Sequence, residues 1–114
     1  MVDLTIIVRS GPRDIQRVAE GLRLSAAMLG MDEPPNIVFL DEGVRCLLRR
    51  AITDQTLKEY LRTAADLAGV QVLSESMDER GIEAEDLDPS LSYTRIGLDG
   101  LAEMISKCTT VVAF

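Results

Sequence analysis

Leu4-Thr5-Ile6-Ile7-Val8 is apolar or β-branched at successive positions, so neither face of the run is polar. That pattern predicts a strand buried on both sides, as in a parallel sheet. Arg9-Ser10-Gly11-Pro12 interrupts it. Beyond Asp14, which suits a helix cap, Ile15, Val18, Ala19, Leu22, Ala26 and Leu29 recur at helical spacing and form one apolar stripe. Gly30 supplies a stop, and Pro34-Pro35 blocks further helix. Residues 36–40 predict a second strand. Asp41-Glu42-Gly43 predicts a turn, with Asp41 capping a short helix on which Val44, Leu47, Leu48 and Ala51 share a face. A solvated connection over 49–55 leads to a helix over 56–68, with Leu57, Leu61, Ala64, Ala65 and Ala68 inward and Gly69 ending it.

Residues 70–73 predict a third strand, with Ser74 to Met77 just past its end. Residues 78–89 hold six acidic side chains and one arginine, which suits a short helix or loop in water. A fourth strand is expected over 91–96 and a last helix over 99–107, with Leu98, Leu101, Ala102 and Ile105 inward. The apolar run at 109–114 predicts a closing strand inside the sheet. Strands alternating with helices imply right-handed crossovers and an α/β fold. The expected architecture is a three-layer α/β/α sandwich on a mostly parallel five-stranded sheet. The length of 114 residues fits a single domain over 1–114.

Composition narrows the function classes. The net charge of −7 and the absence of Trp argue against a nucleic-acid surface, which needs a basic face and stacking platforms. No apolar run approaches the ~20 residues of a membrane helix, and the start of the chain shows no basic region followed by a cleavage site. A cytoplasmic protein is expected, with Cys46 and Cys108 as reduced thiols.

The chain has no histidine, which removes the commonest general base and metal ligand. It has no glycine-rich phosphate loop, and two distant cysteines do not make a zinc site, so neither cofactor nor metal is expected. Ligands of open α/β sheets bind beyond the carboxyl ends of the strands. That rule selects a candidate pocket of Ser10, Gly11, Asp41, Gly43, Ser74 and Ser76. The backbone N–H groups of Ser10 and Gly11 suit a small anion at the start of the first helix, and a plain strand-to-helix turn has the same sequence. Asp41 with Glu42 reads as an acid/base pair or as a cap with a first-turn anion. Of the thiols, Cys46 is expected to be the more reactive. It lies near Arg45, Arg49 and Arg50 and, on an α-helix, points away from the apolar stripe. Cys108 follows the last helix, whose dipole blunts a thiol, though Lys107 offsets this.

The chain resembles the DsrE/DsrF/DsrH sulfur-relay family, and most closely its DsrF/TusC-like branch. The resemblance covers nearly the whole length. It rests on Ile6-Ile7-Val8-Arg9-Ser10-Gly11-Pro12, Glu20-Gly21-Leu22, Val38-Phe39-Leu40-Asp41-Glu42-Gly43-Val44 with Leu47-Leu48, Glu79-Arg80-Gly81-Ile82 and Thr110-Val111-Val112-Ala113-Phe114. It implies a flavodoxin-like fold and assembly as a trimer or hexamer, or as a hetero-oligomer with DsrE/DsrH-like subunits. Active members carry persulfide sulfur on a cysteine eight residues before the glycine of the Arg-Gly pair. In this chain that position is Leu73. A hydroxyl such as Ser74 or Ser76 cannot hold a persulfide. The resemblance therefore implies a non-catalytic subunit, with Cys46 and then Cys108 as alternative sulfur carriers. A ligand-binding or regulatory oligomer using the strand-end pocket is the other reading.

Overall fold

The computed structural model describes residues 3–114, so Met1 and Val2 of the expected domain lie outside the described residues. Five strands, β1 (Leu4–Val8), β2 (Asn36–Phe39), β3 (Val70–Leu73), β4 (Tyr93–Ile96) and β5 (Thr110–Ala113), form one all-parallel sheet in the order β4-β3-β2-β1-β5. The helices are α1 (Ile15–Gly30), α2 (Gln55–Leu67), α3 (Ser74–Glu79) and α4 (Leu98–Lys107). No helix among the described residues is long and apolar enough to cross a membrane.

The strand order decides which face each helix covers. From β1 to β4 every crossover steps in the same direction, and a right-handed rule then puts the connecting helices on one face. The step from β4 to β5 runs back past β1, which puts α4 on the other. Packing follows this. Val18, Ala19 and Leu22 of α1 and Leu57, Leu61 and Ala64 of α2 bury Ile6, Val8, Ile37, Phe39 and Val72 in the main core. On the opposite face, Leu101 of α4 packs with Val38 and Leu73, flanked by Met104 and Ile105. Successive strand residues point to opposite faces, which is why Val38 and Phe39 belong to different cores.

Three expectations are corrected. β5 lies at the sheet edge, with Thr110, Val111 and Ala113 exposed. β2 occupies one side of β1, so β5 pairs on the outer side. The segment Asp41–Leu47 is a 3-10 helix, not an α-helix reaching residue 51. At three residues per turn Val44 and Leu47 still share a face, but Cys46 rotates inward. Leu48 is already extended and pairs with Leu87 across an antiparallel bridge. Finally, Ser74 to Met77 is helical and opens α3 directly from the end of β3. Asp54, whose carboxylate accepts from the Leu57 N–H at 3.0 Å, caps α2.

The start of the 3-10 segment lies directly on the end of β1. A Cβ at Gly43 would overlap the Val8 carbonyl oxygen and lie 3.4 Å from the Arg9 nitrogen. Gly100, inside α4, has room for a methyl, 3.7 Å from Ile96 Cβ. We expect Gly43→Ala to lose at least about 1–3 kcal/mol through overpacking, and Gly100→Ala to gain roughly 0.5–1 kcal/mol by restricting the unfolded chain. Urea denaturation of both variants checks the opposite signs.

Candidate functional site

The carboxyl ends of the strands are tied together by polar contacts. Asp41 adopts the left-handed region (φ 51°), uncommon for a residue with a side chain though less so for Asp. Its N–H donates to Ser76 Oγ at 2.9 Å, and its carboxylate meets Arg9 Nε at 3.3 Å. The Gly43 N–H donates to the Arg9 carbonyl at 3.1 Å and the Leu40 carbonyl at 2.9 Å. Glu42 accepts from Arg80 Nε at 2.6 Å and Arg45 Nε at 3.0 Å. The Arg80 hydrogen bond, foremost, and Arg45 hold its carboxyl below the usual range against some desolvation. Glu42 is thus an ionised brace between two guanidiniums, not a poised proton donor. Arg80 also donates to the Ser76 carbonyl at 3.1 Å. On the β4 side, Arg95 bridges Ser74 Oγ (3.2 Å) and Asp78 (3.3 Å). Glu75 accepts the Leu98 N–H at 3.2 Å, tying α3 to the start of α4.

Two cavities open on this edge. One of about 690 Å³ is bounded by Ser10, Gly11 and Pro12 with Arg9, Arg13, Glu42 and Arg45. The other, about 350 Å³, lies between Ser10, Asp41, Arg9, Arg17 and Phe114. The fold therefore brings Ser10, Gly11 and Asp41 together at open space lined by arginines. It sets Gly43, Ser74 and Ser76 behind them in structural roles. The Ser10 amide is not free for an anion: it donates to the Phe114 carbonyl at 3.2 Å, as the Arg9 N–H does at 2.7 Å. Of the arginines that line these cavities, Arg9, Arg17 and Arg45 already pair with Asp41, Asp14 and Glu42. The bracing pairs of Glu42 with Arg80 and of Arg95 with Asp78 were not foreseen. Arg80, the one cation in an acidic stretch, was the available signal.

Cys46, the thiol the sequence favours, is the more buried of the two. Cys46 is 2% exposed, packs in the main core, and its Sγ donates to the Ser10 carbonyl at 3.6 Å. Burial pushes its pKa up to about 12. Desolvation alone sets this shift, and Arg45, next to the thiol in sequence, is engaged by Glu42 at 3.0 Å. Cys108 is half-buried at the amino ends of the strands. Its Sγ shares a hydrogen bond with Thr5 Oγ1 at 2.7 Å and accepts from Asn36 Nδ2 at 3.6 Å. Leu73 stands at the N-cap position of α3 and packs with Val38 and Leu101. Neither cysteine is in that cluster. Among the described residues, no group of three or more His, Cys, Asp or Glu side chains is arranged to hold a metal.

Two outcomes are expected. Iodoacetamide at pH 8 labels Cys108 and leaves Cys46 unlabelled in the folded protein, as peptide mass mapping would read. The raised Cys46 pKa means that above pH 9 the unfolded chain releases a proton the native protein keeps. Its effect on stability is absent below pH 9, and stability falls between pH 9 and about 12. Denaturant titrations of Cys46→Ala lack that part of the slope.

A family model described as the DsrE/DsrF-like family matches residues 3–114. Solved structures with the same fold include the ychN protein from E. coli (21% identity, TM-score 0.81) and a protein of unknown function, MTH1491, from Methanobacterium thermoautotrophicum (12% identity, TM-score 0.74). Each match covers 100% of both chains. No curated protein sequence matches.

Proposed function

Since the chain belongs to the DsrE/DsrF-like family, we propose that it acts in cytoplasmic sulfur relay as a non-catalytic subunit of the DsrF/TusC-like kind. The carrying observation is Leu73. At the position where the family resemblance expects a persulfide-bearing cysteine, Leu73 stands at the N-cap position of α3 with no side-chain capping bond, and its aliphatic side chain packs against Val38 and Leu101. A cysteine there would sit at a helix start, where thiolate is favoured. Cys46 offers no substitute, because a thiol with a pKa near 12 is protonated at neutral pH. Cys108 lies at the other end of the sheet. No cofactor enters this reading.

A subunit without its own thiol works through partners, and exposed apolar surface supports assembly. Beside α4, β5 leaves Val111 41% exposed and Ala113 exposed, and Leu98 at the start of α4 is 55% exposed. Homotrimers, homohexamers or hetero-oligomers with DsrE/DsrH-like subunits would cover such surface. A second reading, a ligand-binding or regulatory oligomer, draws support from the 690 Å³ cavity beside Ser10 and Gly11, lined by Arg9, Arg13 and Arg45 with Asp14 and Glu42.

Mass spectrometry after incubation with a persulfide donor tests the first reading. The expected wild-type result is no added sulfur on either cysteine, whereas Leu73→Cys gains one sulfur atom at residue 73. That substitution costs about 2 kcal/mol through lost packing, small enough to check by thermal melting beforehand. Sulfur carried by wild-type Cys46 or Cys108 would overturn the non-catalytic assignment. A monomer in native mass spectrometry, alone and with a DsrE-like partner, would overturn the assembly.

A further inference from the structure

The basic side chains are not distributed evenly. Arg9, Arg17, Arg45, Arg80, Arg95 and Lys107 each pair with a carboxylate. Of the other six, four line one cavity of about 540 Å³: Arg49, Arg50, Lys58 and Arg62. Arg50, Lys58 and Arg62 make no hydrogen bond or ion pair among the described residues, and Arg49 donates only to a backbone carbonyl. The wall holds a single carboxylate, Asp88. The hydroxyl and N–H of Ser90, at 2.7 and 2.9 Å, and then the charges of Arg62 and Arg49 hold its carboxyl below the usual range, so one negative charge faces four positive ones. In a chain of net charge −7, three separate segments line this cavity, and the first two supply its cations. These are the connection after the 3-10 helix, one face of α2, and the Asp88–Leu91 turn before β4.

Two further features mark the place. Arg50 is held in the left-handed region (φ 60°), a costly conformation for a side chain of this type. The floor is apolar, from Leu48, Ile52, Leu61 and Leu91. Like charges gathered at a concave wall focus positive potential into it. Arginine forks match phosphate oxygens in pairs, and Lys58 adds a point charge. An apolar floor beneath a cationic rim is the usual make-up of a site for an organic ligand with a charged end.

We infer that this cavity binds a small organic phosphate, its phosphoryl oxygens on Arg49, Arg50, Lys58 and Arg62 and its carbon-rich body on Leu48, Ile52 and Leu91. The site lies on the α2 side of the sheet and shares no lining residue with the strand-end cavities, and Leu73 is not part of it. It stands independently of the sulfur-relay reading. The buried, protonated Cys46 at its back takes no covalent part.

Isothermal titration calorimetry with adenosine diphosphate, coenzyme A, pyrophosphate and adenosine tests it on the full chain. The expected result is saturable, salt-sensitive binding of adenosine diphosphate or coenzyme A, with pyrophosphate at least tenfold weaker and adenosine silent. Arg50→Ala/Arg62→Ala weakens that binding tenfold or more. Arg23→Ala/Lys107→Ala, which removes the same charge elsewhere, leaves it unchanged. No binding of either organic phosphate, or equal weakening by both double variants, would overturn the site. Pyrophosphate binding as tightly as the organic phosphates would overturn the role of the apolar floor. Circular dichroism confirms that both double variants remain folded.

Discussion

The contact on which the carboxyl edge depends is the seating of residues 40–43 against the end of β1. The Val8 carbonyl accepts the Leu40 N–H at 3.1 Å, and the Gly43 N–H returns to the Arg9 carbonyl. Gly43 has no room for a side chain in this arrangement. The tight seating goes with a turn in which Asp41 is left-handed, with its N–H on Ser76 and its carboxylate on Arg9. It also starts the 3-10 helix at an angle that directs Cys46 toward the Ser10 carbonyl. One backbone approach therefore links the shape of the strand-end cavities to the inertness of the nearest thiol.

Electrostatics divides the molecule into two regions. At the strand ends, guanidiniums are matched by carboxylates: Arg9 by Asp41, Arg45 and Arg80 by Glu42, Arg95 by Asp78. Exposed pairs of this kind add little to stability singly. As a lattice they join the ends of β1 to β4 and fix the rim of the cavities. On the α2 side four cations face the single carboxylate of Asp88, which lies near Arg62 and Arg49 without a close ion pair, and the surplus charge remains available to a ligand. The same residue type acts as a brace in one region and as a recognition group in the other. The difference lies in which loop brings a carboxylate within reach.

The layering has a consequence for assembly. Two long helices cover one face of the sheet, and α4 alone covers part of the other, over Val38 and Leu73. The remaining strip, over β5, carries Val111 and Ala113 in the open. An edge strand with exposed apolar residues is a surface that proteins either blunt or bury against another chain.

The alternation of apolar runs and helical stripes already specified the α/β class and five strands, because core-facing positions recur at periods of 2 and 3.6 whatever the neighbours are. The absent histidine and the aliphatic residue at position 73 were equally plain in the chain, since they are matters of residue identity. The edge position of β5, the inward turn of Cys46 and the gathering of Arg49, Arg50, Lys58 and Arg62 were settled only in three dimensions. None is set by local periodicity: β2 occupies one side of β1, residues 41–47 take a 3-10 pitch in place of an α-helical one, and residues 49–50 meet α2 across one cavity. Local pattern records whether a residue is buried. Which residues meet there is decided by the packing of the whole chain.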